Sequence, residues 1–373
     1  MAGPVTDGPH RMRALAAALP SALLDGFHLG REIALPAESG PVQVFVAGMG
    51  GSGIAAELAR GIVEAETRIP LIVLRSPVAP PSLSARSRVF LASYSGNTWE
   101  TLRAYEAAGR AGSFRVVLAS GGALAEHAVR DRVPLLPIPT GIPPRSAVGH
   151  LLGGILGLLD PWFPESNEDR IRRVAERARA YVATCGRARG PADRIAAAIG
   201  PRFPFVYAES SFAGLARRWK TQIEENAKRL AAFDEIPELF HNALVGWDAI
   251  AKVDARRTAA VLLQWDGSPP LVRQSVAYLE ELLRRRGVTV IPVPLESEDR
   301  LEALIQGLTL GDHVSLFLAD HGGVDPYPVD AITRLKTALG TLTPAPTASN
   351  STRPRGRSHT RGRGAGRPRV RNN

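Results

Sequence analysis

Short runs of Val, Ile and Leu recur along the chain, and most are followed by a Gly- or Ser-containing break and then by residues of helical period. The first, residues 42–47 (VQVFVA), leads through a glycine-rich turn into an expected helix from Ile54 to Glu64. LIVL at 71–74, VFLAS at 89–93 before a helix from Thr98, and RVVLAS at 115–120 before another continue the pattern. Continuous apolar strands alternating with helices predict a parallel sheet covered on both faces. After a helical region that includes Glu168 to Thr184, the pattern restarts with strands at FPFVYA (203–208), TAAVLLQW (258–265) and VTVIPV (288–293). Helices are expected there at Phe212 to Arg229, Leu271 to Arg286 and Glu298 to Leu318, with a closing helix at about Val329 to Leu339. The predicted fold class is α/β, with two doubly wound parallel-sheet subdomains. The expected organisation is an N-terminal helical segment at 1–29, a first α/β domain at 30–160, a helical linker and second α/β domain at 161–340, and a tail at 341–373.

A chain of 373 residues with 45% hydrophobic content has room for two cores of ordinary size. Its single cysteine, Cys185, excludes an intramolecular disulfide, and no CxxC or His-rich cluster offers a metal-ligand set, so a reducing compartment and chemistry without metal or cofactor are expected. The N-terminus is too polar for a signal peptide, and the most apolar segment, Val148 to Leu159, is shorter than the roughly 20 residues of a membrane helix. A soluble, cytoplasmic protein with no membrane partner is the expectation. The formal net charge of +10 is concentrated in eight arginines between Arg353 and Arg371, within a tail that has no acids; removing them leaves +2. From about Thr341 the composition predicts disorder, and the most its charge implies is weak, salt-sensitive, nonspecific nucleic-acid binding.

Gly48-Met49-Gly50-Gly51-Ser52-Gly53 fits G-x-G-x-x-G between a strand and a helix. A dinucleotide fold wants an acidic residue about 20 positions on; here the next strand ends in Arg75. An arginine serves a 2′-phosphate, so an NADP site stays open at this point, as does a turn that merely needs glycine. The third strand ends in Ser93-Tyr94-Ser95-Gly96-Asn97-Thr98 before another helix. Hydroxyls and unpaired N–H groups at a helix N-terminus favour an anion, although Asn97 or Thr98 would equally serve as an N-cap. Two such loops at the carboxyl ends of strands in one sheet can converge on one phosphate, held by Gly51, Ser52, Ser93, Ser95 and Thr98.

Other polar residues are less informative by position alone. Phe212, Leu215, Trp219 and Ile223 mark the buried stripe of a helix, from which Glu225 points away at about 100° per residue. An exposed ion pair with Arg229 at i+4, beside Glu224 with Lys228, satisfies that pattern. His241 reads as a loop histidine, and Arg145, after two prolines, as a loop cap.

The loops GMGGSGIA and SYSGNTWETL closely resemble the two loops of sugar isomerase (SIS) domains. EENAKRLAAFDEIPELFHNALVGW (Glu224 to Trp247), PPRSAVG (Pro143 to Gly149) and GVDPYPVDAITRLK (Gly323 to Lys336) resemble blocks of the bifunctional phosphoglucose/phosphomannose isomerases, and the similarity spans roughly residues 40–340. The resemblance implies two SIS-type subdomains and interconversion of glucose 6-phosphate, and mannose 6-phosphate, with fructose 6-phosphate through a cis-enediol. It assigns the phosphate to Ser52, Ser93, Ser95 and Thr98, the base to Glu225, enediolate stabilisation to Arg145 and a position near the ring oxygen to Lys336. His241 would assist ring opening from the neighbouring subunit of a homodimer. Two departures lie beside catalytic positions: Glu224 stands where the family usually has Asn, and Phe240 where Asn often precedes the His. The chemistry suits these residue types, since one carboxylate can serve both carbons, a guanidinium is always charged and an imidazole exchanges protons near neutrality. A catalytically silent sugar-phosphate sensor is the alternative from another class, since SIS domains also serve regulators.

Overall fold

The computed structural model describes residues 7–36 and 43–340; the Arg-rich tail and its expected disorder lie outside the described residues. Two helices, α1 (Gly8–Ala17) and α2 (Leu19–Arg31), precede the first sheet. That half runs β1 (Gln43–Ala47), α3 (Gly50–Glu66), β2 (Leu71–Leu74), β3 (Ser87–Ala92), α4 (Trp99–Arg110), β4 (Phe114–Ala119), α5 (Gly122–Asp131) and β5 (Leu135–Pro137). A 3-10 turn at Pro144–Ala147 leads to α6 (Val148–Leu159), α7 (Glu168–Cys185) and α8 (Pro191–Ile199). The second half runs β6 (Phe203–Glu209), α9 (Ala213–Ala227), β7 (Ala232–Ile236), α10 (Ala243–Asp248), α11 (Lys252–Arg256), β8 (Thr258–Trp265), α12 (Pro270–Arg285), β9 (Thr289–Leu295) and α13 (Arg300–His321). The chain up to Pro328 is one compact unit; α14 (Asp330–Gly340) belongs to a second that begins at Val329.

Both sheets are parallel throughout, in the orders β2-β1-β3-β4-β5 and β7-β6-β8-β9. Strand alternation sends side chains to two covered faces. Val44, Val46, Phe90 and Val116 join a core with α2, α3 and α6, while Phe45, Val89, Leu91 and Val117 pack with Tyr105 of α4 and Leu124 of α5. The first of these cores continues through α3, α9 and α13 into the second half, where Val206, Val261 and Val293 enter it. The opposite face of the second sheet, with Tyr207 and Leu262, is covered by Trp247 of α10 and by Val276 and Leu279 of α12.

The doubly wound expectation matches this arrangement, with differences at the elements' edges. α3 begins at Gly50 rather than Ile54, because Met49 is its extended N-cap and the glycines after it form the first helical turn. β5 and β7 escape the apolar-run criterion. One is three residues long and ends in Pro137; the other, AFDEI, carries two acids. Both are edge strands, where short length, proline and charge are common devices against pairing with another chain.

The apolar segment Val148–Leu159 is a buried helix of the core, consistent with a helix that is hydrophobic all round. It lies almost in backbone contact with α2. A Cβ on Gly153 would fall 2.1 Å from the Leu23 carbonyl oxygen, one on Gly157 2.1 Å from that of Phe27, and one on Gly26 2.3 Å from that of His150. Alanine gains about 1 kcal/mol over glycine in a helix interior, but here it must push two packed helices apart, an overpacking cost of about 1–3 kcal/mol. Gly153→Ala is therefore expected to lower the unfolding free energy in urea despite its better helix propensity. An unchanged or raised midpoint would mean that the α2/α6 contact relaxes freely.

Candidate functional site

The first sheet reverses its winding between β1 and β3, and the loops leaving these strands meet across that gap. Ser52, in the first turn of α3, accepts a hydrogen bond from the Tyr94 N–H through its Oγ (3.3 Å). Ser93 Oγ donates to Thr98 Oγ1 (2.9 Å), and Ser95 Oγ accepts from the Asn97 N–H (3.3 Å). Ser52 and Ser93 are buried, Thr98 is half-buried and Ser95 is exposed, so the hydroxyls run from the floor of the crevice to its rim. Neither α3 nor α4 has a side-chain N-cap hydrogen bond. Thr98 occupies the N-cap position but its hydroxyl is turned to Ser93, and first-turn N–H groups without a cap are suited to an anion. Gly96 (φ 66°) sits where a Cβ would overlap the Gly121 carbonyl oxygen, so only glycine lets this loop close against the one after β4.

Arg145 is brought to the edge of this crevice. A Cβ on Gly51 would lie 3.1 Å from the Pro144 carbonyl oxygen and 3.2 Å from Arg145 Cα, which places the first turn of α3 directly against the 3-10 turn. Tyr94 secures the same segment: its hydroxyl accepts from the Ile142 N–H (3.1 Å), and its carbonyl accepts from Ser120 Oγ (2.5 Å). The Arg145 side chain is only 2% exposed. Its Nε donates to Asn226 Oδ1 (2.8 Å), its Nη2 to the carbonyls of Pro326 (2.7 Å) and Tyr327 (3.0 Å), and its Nη1 lies 3.6 Å from Glu225 Oε2. Burial presses this guanidinium below its ordinary pKa, and the Glu225 carboxylate opposes that shift.

Glu225 therefore pairs with Arg145, 80 residues earlier in the chain, and not with Arg229 as the helical spacing suggested. Arg229 instead donates to the carbonyls of Gly200 (2.6 Å) and Arg202 (2.5 Å). Glu224 pairs with Lys220 (2.7 Å), one turn back, rather than with Lys228. Lys228 ends α9 in the left-handed region (φ 56°), and its Nζ donates to the Glu225 and Pro328 carbonyls and to the Pro326 carbonyl that Arg145 also uses. Asn226 is held in turn, its Nδ2 donating to Ser315 Oγ (2.8 Å) on α13. Arg218 and Asp312 form a buried two-point ion pair beside them, at 2.9 and 3.1 Å.

The remaining candidates lie elsewhere. His241 is exposed at the end of a 3-10 turn (Glu238–His241) after β7, and its ring makes no hydrogen bond or ion pair among the described residues. Phe240, one of the two departures, is half-buried against the core beneath α12. Lys336 is exposed on α14, in the C-terminal unit. Arg75, which left a 2′-phosphate open, is committed to Glu57 (2.9 Å), which also takes Arg217 (2.8 Å). Sequence reasoning missed Tyr94, Asn226 and Ser315 as supports of the site. Asn226 had a usable signal, a polar residue three positions after Ile223 on the buried stripe.

A family model described as the bacterial phospho-glucose isomerase C-terminal SIS domain matches residues 188–339. A bifunctional phosphoglucose/phosphomannose isomerase of Caldicellulosiruptor bescii is 30% identical over 333 residues, covering 87% of this chain and 97% of its own length. A protein of the same description from Aquifex aeolicus is 32% identical over 294 residues, 78% of this chain and 88% of its own. Among solved structures, the tagatose-6-phosphate ketose/aldose isomerase of Escherichia coli is similar in fold, with a TM-score of 0.67 at 18% identity over 88% of this chain and 97% of that one.

Replacing Asn226 with Leu leaves a buried guanidinium short of one acceptor, a loss of about 1–3 kcal/mol. Glu224→Gln breaks only a partly exposed pair, worth at most about 1 kcal/mol. Urea unfolding of the two variants should separate them in that order; equal costs would mean that water replaces Asn226 at Arg145.

Proposed function

Since the chain belongs to the bifunctional phosphoglucose/phosphomannose isomerase family, we propose that it interconverts glucose 6-phosphate, and mannose 6-phosphate, with fructose 6-phosphate. The observation that carries this reading is the Arg145–Glu225 pair at the edge of a hydroxyl-lined crevice. The substrate phosphate binds between the N-termini of α3 and α4, at the Gly51 backbone and the hydroxyls of Ser52, Ser93, Ser95 and Thr98. Glu225 takes the proton from C2 of the open-chain aldose and returns it to C1, giving the ketose through a cis-enediol. The charge that develops on O1 and O2 is met by Arg145, whose guanidinium is already fixed by three neutral acceptors. His241, supplied by the neighbouring subunit of a homodimer, exchanges the proton of ring opening, and Lys336 binds near the ring oxygen. The isomerisation transfers hydrogen within one molecule, so its stoichiometry requires no external hydride acceptor.

Glu225→Gln keeps the size of the side chain and removes its proton acceptor, so turnover should fall by about 10²–10⁴ while sugar-phosphate affinity survives. Solvent deuterium should enter C2 of recovered aldose phosphate with the unaltered protein and not with this variant. Glu224→Gln is the control and should be mild. An inactive Glu224→Gln beside an active Glu225→Gln would transfer the role by one residue, and two active variants would remove it from this helix.

Replacing both Ser95 and Thr98 with Ala should raise KM for the hexose 6-phosphates more than it lowers kcat, because phosphate is held alike in ground and transition states. Arg145→Ala should show the opposite bias. Steady-state kinetics decide both, and an unaltered KM in the double variant would move the phosphate to another site.

A further inference from the structure

The second sheet reverses its winding between β6 and β8 just as the first does between β1 and β3, and an open parallel sheet leaves a crevice at such a point. A cavity of about 270 Å³ opens beside that point, between the end of β8 and α12, lined in part by Glu209, Gln264, Asp266, Ser268, Arg273 and Glu280. As in the first crevice, hydroxyls approach from the two loops: Ser211 from the segment after β6 and Ser268 from the segment after β8. Here both donate to one carboxylate, that of Glu209, the last residue of β6. Ser211 Oγ bonds Oε1 and Ser268 Oγ bonds Oε2. Arg300 Nη1 lies 3.5 Å from Oε1, and its guanidinium is held over the Trp265 ring at 4.3 Å. Arg273 Nη1 donates to the Asp266 (3.2 Å) and Ser268 carbonyls and so fixes the loop that carries Ser268.

Two hydroxyl donors and a guanidinium converging on the oxygens of one anion form a partner set that would suit a phosphate. We propose that the β6/β8 crevice is a phosphate site that the chain occupies with its own Glu209, so that the subunit takes a phosphate ester at β1/β3 and none at β6/β8. The tethered carboxylate competes at an effective concentration that a free ligand does not reach in solution, and its charge repels a second anion. The same contacts clasp the β6 and β8 loops, since Glu209 joins a hydroxyl from each. The inference extends the phosphate reading of the first crevice but is measured independently of turnover.

Inorganic phosphate is the probe, counted per chain by equilibrium dialysis on the full chain. Neutralising Glu209 with Glu209→Gln, or with Glu209→Ser as a second variant that adds a hydroxyl to the crevice, should raise the count by one over the unaltered protein. Adding Ser268→Ala should abolish that increment. If the first crevice does not bind phosphate, the count rises from zero to one instead of from one to two, so the two readings fail separately. No increment in either variant, with cooperative thermal unfolding retained, overturns the proposal. So does an increment that survives Ser268→Ala, or a second phosphate already bound to the unaltered chain.

Discussion

The burial of one charge, the guanidinium of Arg145, organises the site. Removing such a group from water costs several kcal/mol unless its donors are matched. The matching acceptors come from the end of α9, from the segment at Pro326 and Tyr327, and from the Glu225 carboxylate, between 80 and 182 residues away in the chain. None of them belongs to the first sheet or its loops. The β1/β3 crevice therefore has its cation in place only when α9 and the segment after α13 have packed against it, which ties the assembly of the site to the folding of both halves.

The same network fixes direction as well as charge. Asn226 holds Nε and is itself held by Ser315, while two carbonyls take Nη2, so the guanidinium plane is set before any ligand arrives. Preorganised charge in a site of low dielectric is more effective than charge that must turn toward a developing anion. Lys228 extends this order to Glu225. By ending α9 in the left-handed region and bonding the Glu225 carbonyl, it fixes the backbone that carries the carboxylate.

What could be read from the sequence divides along the same line. Strands such as TAAVLLQW and the hydroxyl-bearing loops after β1 and β3 announce themselves, because local composition and period determine them. The partners of Glu225 did not, since an i+4 basic residue is the best local guess and the actual partner is fixed by tertiary packing. Arg145 likewise read as a loop cap. Its burial follows from acceptors on α9 and after α13, and only the resemblance of PPRSAVG and EENAK to one family pointed toward both residues. The edge strands β5 and β7 were missed because they are short or charged where a central strand would be apolar.

The two halves share a winding and differ in how their crevices are lined. After β1, a Cβ on Gly53 would stand 2.5 Å from the Gly48 carbonyl oxygen, so glycine lets the chain turn tightly there. β6 instead ends in Glu209 and is followed by Ser210-Ser211-Phe212, so a carboxylate closes the strand and an aromatic ring packs on Trp265. Ser210 Oγ is turned to the Ile236 carbonyl of the edge strand. A common sheet order supplies the same opening twice and hydroxyls enter both, but those of the second, Ser211 and Ser268, are already matched to the Glu209 carboxylate. The sheet order thus places a crevice in each half, and in the proposal made here the second is closed by the Glu209 carboxylate.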